Sequence, residues 1–141
     1  MCKFCHKGME QIIPRANTCI WVCSDNRKND NHGYGEGYLY RTAGAGLDKP
    51  HDRDFRQFRF FLSQGVTELW VTAHHDCLFA QAHGIADEHV ESIIRNRMVE
   101  LHDELIEDTL HLRVRGFIGS LRGPTWIYQE MSPPLFVAKA A

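Results

Sequence analysis

Two short apolar runs, residues 18–23 and 68–73, each end abruptly in a polar segment. Both are rich in β-branched and aromatic side chains, which predicts two buried strands. The Gly- and Asn-rich residues 24–37 follow the first run, and His-His-Asp-Cys at 74–77 follows the second. We therefore expect two buried strands that each end in a functional loop.

The rest of the pattern alternates strands with helices. Residues 52–63 carry apolar side chains at helical spacing, and Asp52 and Asp54 lie near the N-terminal end, where the helix dipole favours acids. An apolar stripe between charged faces predicts a longer helix over residues 87–107. Further strands are predicted at residues 38–40, 110–118 and 125–129. This order favours an α/β fold with a mostly parallel central sheet of about four to five strands flanked by helices.

Length and composition narrow the class of protein. At 141 residues we expect a single domain over 1–141, with an N-terminal helical arm over 1–17 and a C-terminal tail over 131–141. The first residues lack the apolar core of a signal peptide, and no apolar run approaches the roughly 18 residues of a spanning helix, so we expect a cytoplasmic protein with no membrane contact. The 16 basic and 18 acidic residues are interspersed, which argues against a nucleic-acid partner.

The cysteines and histidines indicate a metal site. Five cysteines in a chain with no export signal are expected to be thiols or metal ligands before disulfides. Zn²⁺ prefers tetrahedral sites of thiolate and imidazole, and a catalytic site keeps the fourth position open for water. Cys23, His74 and Cys77 supply three such ligands at strand ends, where ligands collect in open α/β sheets. His75, next to His74, remains an alternative ligand.

Three sequence blocks extend this pattern: Cys-Ser-Asp-Asn-Arg at 23–27, Tyr-Arg-Thr-Ala-Gly at 40–44, and His-His-Asp-Cys at 74–77. In this order they resemble the Cys-x-Asp-x-Arg, Arg-Asn-Ala-Gly and His-x-x-Cys motifs of the β-class carbonic anhydrases. The chain looks like a short, divergent member of that family. The resemblance implies a β-carbonic-anhydrase-like fold, Zn²⁺ held by Cys23, His74 and Cys77, and Asp25 paired with Arg27 as a catalytic dyad.

The same resemblance implies an activity. It is that of a zinc-dependent lyase, a carbonate dehydratase, which reversibly hydrates carbon dioxide to bicarbonate by zinc-bound hydroxide. Asp25 would accept a hydrogen bond from the hydroxide, and Arg27 would hold that carboxylate through a rigid charged fork. The expected partner is this small-molecule substrate. A homodimer or higher homo-oligomer is also implied, with Leu135 and its neighbours as a candidate cover for a second subunit.

Two other functions remain open. The same hydroxide could attack carbonyl sulfide or carbon disulfide, which are also linear molecules, in a zinc hydrolase. A non-catalytic, zinc-stabilised binding or sensing module would result if Asp25 took the fourth zinc position. The same would follow if Leu78, where the family usually has glycine, filled the site.

The N-terminal Cys-Lys-Phe-Cys-His at 2–6 is a separate feature. Cys2, Cys5 and His6 could form a second metal site with Cys19. Their spacing also matches a covalent haem attachment, but that chemistry is expected in an oxidising compartment, and the chain shows no export signal. A frayed terminus is the simpler interpretation.

Overall fold

The computed structural model describes residues 3–6, 10–24, 33–123 and 125–136. Its strands are β1 (Phe4–Cys5), β2 (Gln11–Ile12), β3 (Thr18–Cys23), β4 (Tyr38–Thr42), β5 (Glu68–His74), β6 (Arg113–Arg122) and β7 (Thr125–Glu130). They form one sheet in the order β2-β1-β7-β6-β5-β3-β4. Strands β6, β5, β3 and β4 run parallel, whereas β7 is antiparallel to β6.

The predicted α/β class with a mostly parallel central sheet is confirmed, and the sheet has seven strands where four to five were expected. The excess comes from the two-residue strands β1 and β2, which join the sheet beyond β7. Strands this short carry too little periodic signal to be identified from sequence. They nevertheless extend the sheet and help to close one of its faces.

In the described part of the chain, three α-helices lie between the strands: α1 (Asp52–Ser63), α2 (Leu78–Ala82) and α3 (Asp87–Leu105). Helix α1 has the predicted bounds, and the backbone N–H of His51 donates to Asp54 Oδ2 (2.8 Å) at its start. Helix α3 ends two residues before the predicted limit. Its buried stripe consists of Val90, Ile94, Met98, Leu101 and Leu105. None of these described helices is long and apolar enough to cross a membrane.

The two faces of the sheet are covered differently. Side chains alternate along β3, so Cys19, Trp21 and Cys23 join a core that includes α1 and α3, while Ile20 and Val22 face the other way. The second core contains no helical residue among those described. It is built from strand and loop side chains: Phe4, Ile12, Ile20, Val22, Tyr34, Trp70, Phe117, Trp126 and Tyr128. The sequence predicts helices on both sides of the sheet, whereas mostly aromatic side chains of strands and a loop form the core on this face.

The helical arm expected over residues 1–17 is wrong for the residues described there, which contain the strands β1 and β2 and no helical residue. The reason is the aromatic core of the second face. The Phe4 ring is fully buried and lies 5.0 Å from the rings of Trp70 and Phe117 (centroid to centroid), and it stacks on Tyr128 at 5.1 Å. Burying one aromatic side chain contributes about 1.5–3 kcal/mol to the free energy of folding. Phe4 gains this contribution only if β1 pairs with β7.

A partly buried ion pair connects β6 to β7. The guanidinium of Arg115, whose side chain is 9% exposed, donates to both carboxylate oxygens of Glu130, at 2.6 and 2.9 Å. On the other side of Arg115, Oε1 of Glu68 on β5 lies 3.6 Å from Nη1 of the guanidinium group. Burial alone would raise the pKa of Glu130, but the hydrogen bonds and charge of Arg115 outweigh it and lower that pKa below its usual value.

This pair predicts an acid-dependent stability. Because the pKa of Glu130 is lower in the folded chain than in the unfolded one, the stabilisation is complete above the unfolded pKa of about 4.3 and is lost as the pH falls through the folded value. We expect Glu130→Gln to lower the free energy of unfolding by about 1–3 kcal/mol at pH 7. Urea unfolding of both proteins, in the same metal state, should show this difference shrink toward zero below the folded pKa. A pH-independent difference would contradict it.

Candidate metal site

Parallel pairing of β3 with β5 brings two distant segments together. Cys23 is the last residue of β3 and His74 the last of β5, so both lie at the same edge of the sheet. Cys77 follows one turn later, at the N-terminal end of α2. All three side chains are buried, and one potential ligand atom from each lies within 4.8 Å of the others. The two sulfur atoms of this cluster, Cys23 Sγ and Cys77 Sγ, are 3.9 Å apart.

The imidazole of His74 has a defined orientation. Its Nδ1 lies 2.9 Å from the backbone carbonyl oxygen of His75. A carbonyl only accepts hydrogen bonds, so Nδ1 carries the hydrogen and the neutral ring presents its lone pair at Nε2. This is the arrangement found in metal-ligating histidines, whose second nitrogen donates to an oxygen and fixes the tautomer.

The turn between His74 and Cys77 depends on Asp76. Its φ of 55° is in the left-handed region, which Asp tolerates better than most residues. The Asp76 carboxylate accepts from Gln81 Nε2 at 2.6 Å, and its backbone N–H donates to Asp87 Oδ1 at 3.2 Å. These bonds join the turn to α2 and α3. The reversal at Asp76 lets both ligands of the His-x-x-Cys block point to one place.

A backbone donor reaches the thiol of Cys23. The N–H of Gly44 lies 3.2 Å from Cys23 Sγ, just after β4. Gly44 has φ 78°, and a Cβ there would come within 2.4 Å of the Phe79 ring. Glycine is therefore required twice over, for its backbone conformation and for the close approach of Phe79. An N–H directed at sulfur stabilises the thiolate form that a metal needs.

Strand β7 supports the cluster from the other face. The Trp126 ring packs edge-on against His74, with centroids 4.8 Å apart and planes at 71°. Gly119 on β6 allows His74 and Tyr128 to approach the backbone closely, because a Cβ there would come within 3.2 Å of His74 Cβ and 2.8 Å of the Tyr128 ring. The imidazole is thus confined by an aromatic ring in addition to its hydrogen bond.

The donor set fits Zn²⁺. Two Zn–S bonds of about 2.3 Å at a tetrahedral angle place the sulfurs about 3.8 Å apart, close to the 3.9 Å between Cys23 and Cys77. The hydrogen bond with Cys23, followed by burial, raises the pKa of Cys77 well above its usual value in the absence of a cation. A divalent cation would neutralise both thiolates. No other group of three or more potential ligands occurs within the described residues.

The other predicted residues fall in different places. Asp25 and Arg27 lie outside the described residues. The side chain of His75 is exposed and does not belong to the cluster. Leu78, considered as a plug, directly follows Cys77 at the start of α2 and is 53% exposed.

The proposed second metal site is wrong as far as the described residues show. Cys5 lies on β1 and Cys19 on β3, and three strands at about 4.8 Å spacing separate them in the sheet. His6 instead pairs with Glu130 at 2.8 Å, and Cys2 lies outside the described residues. The Cys-x-x-Cys-His spacing therefore does not gather Cys19 into a ligand set.

The sequence does not reveal the contacts of two supporting residues. The glycines of the second block, Gly44 among them, suit a tight turn or a close backbone approach, but nothing in the block identifies Cys23 Sγ as the group approached. Trp126 carries no local signal at all, because its contact with His74 depends on β7 returning beside β6. A glycine within a motif is a usable hint of close backbone approach, whereas the Trp126 contact required the fold.

Comparison with known proteins shows which folds this chain resembles. No protein-family model matches the chain, and no curated protein does. Among solved structures, the chain is similar to carbonic anhydrase from Streptococcus mutans, with 16% identity, a TM-score of 0.52 and coverage of 82% of each chain. Weaker similarities are to carbonic anhydrase from Glaciozyma antarctica (20% identity, TM-score 0.47, 86% of each chain) and a carbon disulfide hydrolase (16%, 0.46, 75% of each). The predicted resemblance to β-carbonic anhydrases is thus confirmed as a likeness of fold.

Gly44 offers a direct test of this geometry. Gly44→Ala forces a Cβ into the Phe79 ring at a positive φ, and we expect it to lower the free energy of unfolding of metal-free protein by about 2–4 kcal/mol. Gly84→Ala is the matched control, because Gly84 has φ 69° and open space around its Cβ position. Gly84→Ala should lower the free energy of unfolding only by the backbone strain of about 1–2 kcal/mol. If chemical denaturation shows that both variants lose the same free energy of unfolding, Phe79 does not pack closely against Gly44.

Proposed function

We propose that this chain is a zinc-dependent lyase that reversibly hydrates carbon dioxide to bicarbonate. The observation that supports this most is the compact, buried cluster of Cys23, His74 and Cys77 at the carboxyl edge of the parallel strands. Three protein ligands leave one position of a tetrahedral zinc site for water, as in catalytic zinc sites. The carbonic anhydrase fold is consistent with that chemistry but does not establish it.

In this proposal the chain supplies the ligands and the positioning. Bound by Cys23, His74 and Cys77, zinc would lower the pKa of a water to about 7 and so supply hydroxide near neutral pH. The N–H of Gly44 and the carbonyl of His75 hold a sulfur and an imidazole in place. We assign Asp25 to accept a hydrogen bond and so direct an oxygen lone pair at the substrate carbon, and Arg27 to fix that carboxylate.

The alternatives differ in substrate or in chemistry. Carbonyl sulfide and carbon disulfide present the same linear geometry to the same nucleophile, so a zinc hydrolase shares every residue role above. A non-catalytic zinc module would result if Asp25 took the fourth ligand position, or if Leu78, which is 53% exposed, blocked access to the site. Assembly as a homodimer or higher homo-oligomer remains part of the proposal.

Zinc binding is the first prediction of this assignment. Cys23→Ser and Cys77→Ser should each lower zinc affinity by at least about 100-fold, because a neutral hydroxyl replaces a thiolate ligand. Cys19→Ser is the matched control, since Cys19 is equally buried and lies outside the cluster. Zinc content after dialysis against a competing chelator measures the effect. Full zinc retention by Cys23→Ser would exclude Cys23 as a ligand.

Hydration activity is the second prediction. Asp25→Asn keeps the shape of the side chain but removes its charge, and we expect stopped-flow carbon dioxide hydration to fall by about 100-fold with zinc content unchanged. Asp52→Asn, an exposed carboxylate at the start of α1, should leave the rate unaltered. Sulfide release from carbonyl sulfide and carbon disulfide in the same samples identifies the preferred substrate. Zinc-loaded protein that turns over none of these gases would support the non-catalytic module.

A further inference from the structure

The turn after β4, residues 44–47, carries the backbone donor to Cys23, and we call it the donor turn. Gly44 and Ala45 have consecutive φ angles of 78° and 42°, both in the left-handed region. A residue with a side chain costs about 1–2 kcal/mol in this region. Ala45 and Leu47 are buried. The strained backbone of the donor turn therefore depends on contacts with the rest of the fold.

Helix α3 contacts the donor turn through two side chains on one of its faces. These are Ile94 and Arg97, three positions apart. A Cβ at Gly46 would come within 2.6 Å of Ile94 Cδ1, so the glycine lets α3 approach closely. The Nε–H of Arg97 donates to the carbonyl oxygen of Gly46 at 3.1 Å. Because a buried carbonyl without a partner costs about 1–3 kcal/mol, this bond stabilises the turn in its observed conformation.

The guanidinium of Arg97 is itself held in place. Its side chain is 14% exposed, and Nη1 donates to Glu100 Oε2 at 2.7 Å, one turn further along α3. The planar group keeps both bonds in a fixed geometry. Gly46 is two residues from Gly44, whose N–H lies 3.2 Å from Cys23 Sγ. Two hydrogen bonds and one short stretch of backbone thus connect α3 with a sulfur of the metal cluster.

We propose that Arg97 is a positioning residue of the metal site, which acts through Gly46 and Gly44 to keep a hydrogen bond on the sulfur of Cys23. Hydrogen bonds to ligating groups tune the affinity and the electronic properties of a bound metal. The inference rests on the metal site of the proposed function and extends it to a residue outside the three sequence blocks. The bond from Gly44 to Cys23 is present without a metal, so it can be tested separately.

The first measurement uses the full-length, metal-free protein in reducing buffer. An amide that donates a hydrogen bond has a downfield proton and exchanges slowly with solvent. Arg97→Met keeps the apolar stem but removes both donors, and we expect the Gly44 amide proton to move upfield and to exchange at least about tenfold faster. Arg97→Lys keeps a charged donor on a long stem, so it should restore part of this protection.

The second measurement uses Co²⁺ in place of Zn²⁺. A thiolate that accepts a hydrogen bond gives electron density to a metal less readily, so its sulfur-to-cobalt charge-transfer band lies at higher energy. Arg97→Met should move this band to lower energy and weaken Co²⁺ binding about threefold to tenfold, less than the roughly 10–100-fold effect of losing a direct partner of a ligand. A residue that only stabilised the fold would move neither the band nor the Gly44 amide.

Two variants on α3 serve as controls. Glu100→Gln removes the ion pair of Arg97 but leaves its bond to Gly46, so both measurements should stay close to wild type. Arg95→Met is the same substitution at a residue that donates to the carbonyl of Ser132 and not to the donor turn. It should leave both measurements unchanged, whatever its effect on the free energy of unfolding.

The proposal is overturned if the Gly44 amide keeps its shift and exchange rate in both Arg97 variants, or if Arg95→Met alters them equally. Should Arg97→Met not fold, the comparison of Arg97→Lys with Arg95→Met decides, and we expect a smaller upfield shift in Arg97→Lys alone. Wild-type protein that binds neither Co²⁺ nor Zn²⁺ would contradict the proposed zinc function. In that case the metal-free amide measurement still decides whether Arg97 positions the donor turn.

Discussion

The pairing of β3 with β5 as parallel neighbours is the constraint on which the candidate metal site depends. Cys23 and His74 are far apart in sequence, and only parallel strands place both at one edge of the sheet. The register follows from burial on both faces, because a one-residue slip of β3 would move Trp21 and Cys23 into the aromatic core. Packing of the sheet therefore sets the geometry of the site.

The two faces of the sheet contribute different supports to this site. From the face covered by α1 and α3, Gly44 donates to Cys23 and Phe79 closes over the turn. From the aromatic face, Trp126 confines the ring of His74. Because β7 carries Trp126 and is tied to β6 through Arg115 and Glu130, an ion pair remote from the metal ligands stabilises the strand that supports one of them.

The fold also separates two chemistries along the strand direction. At the carboxyl edge of the parallel strands, thiols and an imidazole form a small site suited to a metal ion. At the other end, a larger cavity combines an apolar wall with the ion pair of Arg115 and Glu130. Seven strands in one sheet give room for both, and the short strands β1 and β2 help to cover the aromatic face without a helix.

The sequence by itself determined the α/β class and the bounds of β3 and α1, because each depends on local periodicity. It also singled out the three residues of the candidate metal site, through three separate blocks that together resemble the motifs of one family. Only the tertiary structure decided that residues 4–5 and 11–12 are strands, that Trp126 meets His74, and that Cys19 stays apart from Cys5. These contacts join segments distant in the chain. Their stability comes from burying rings between strands, which no local pattern records.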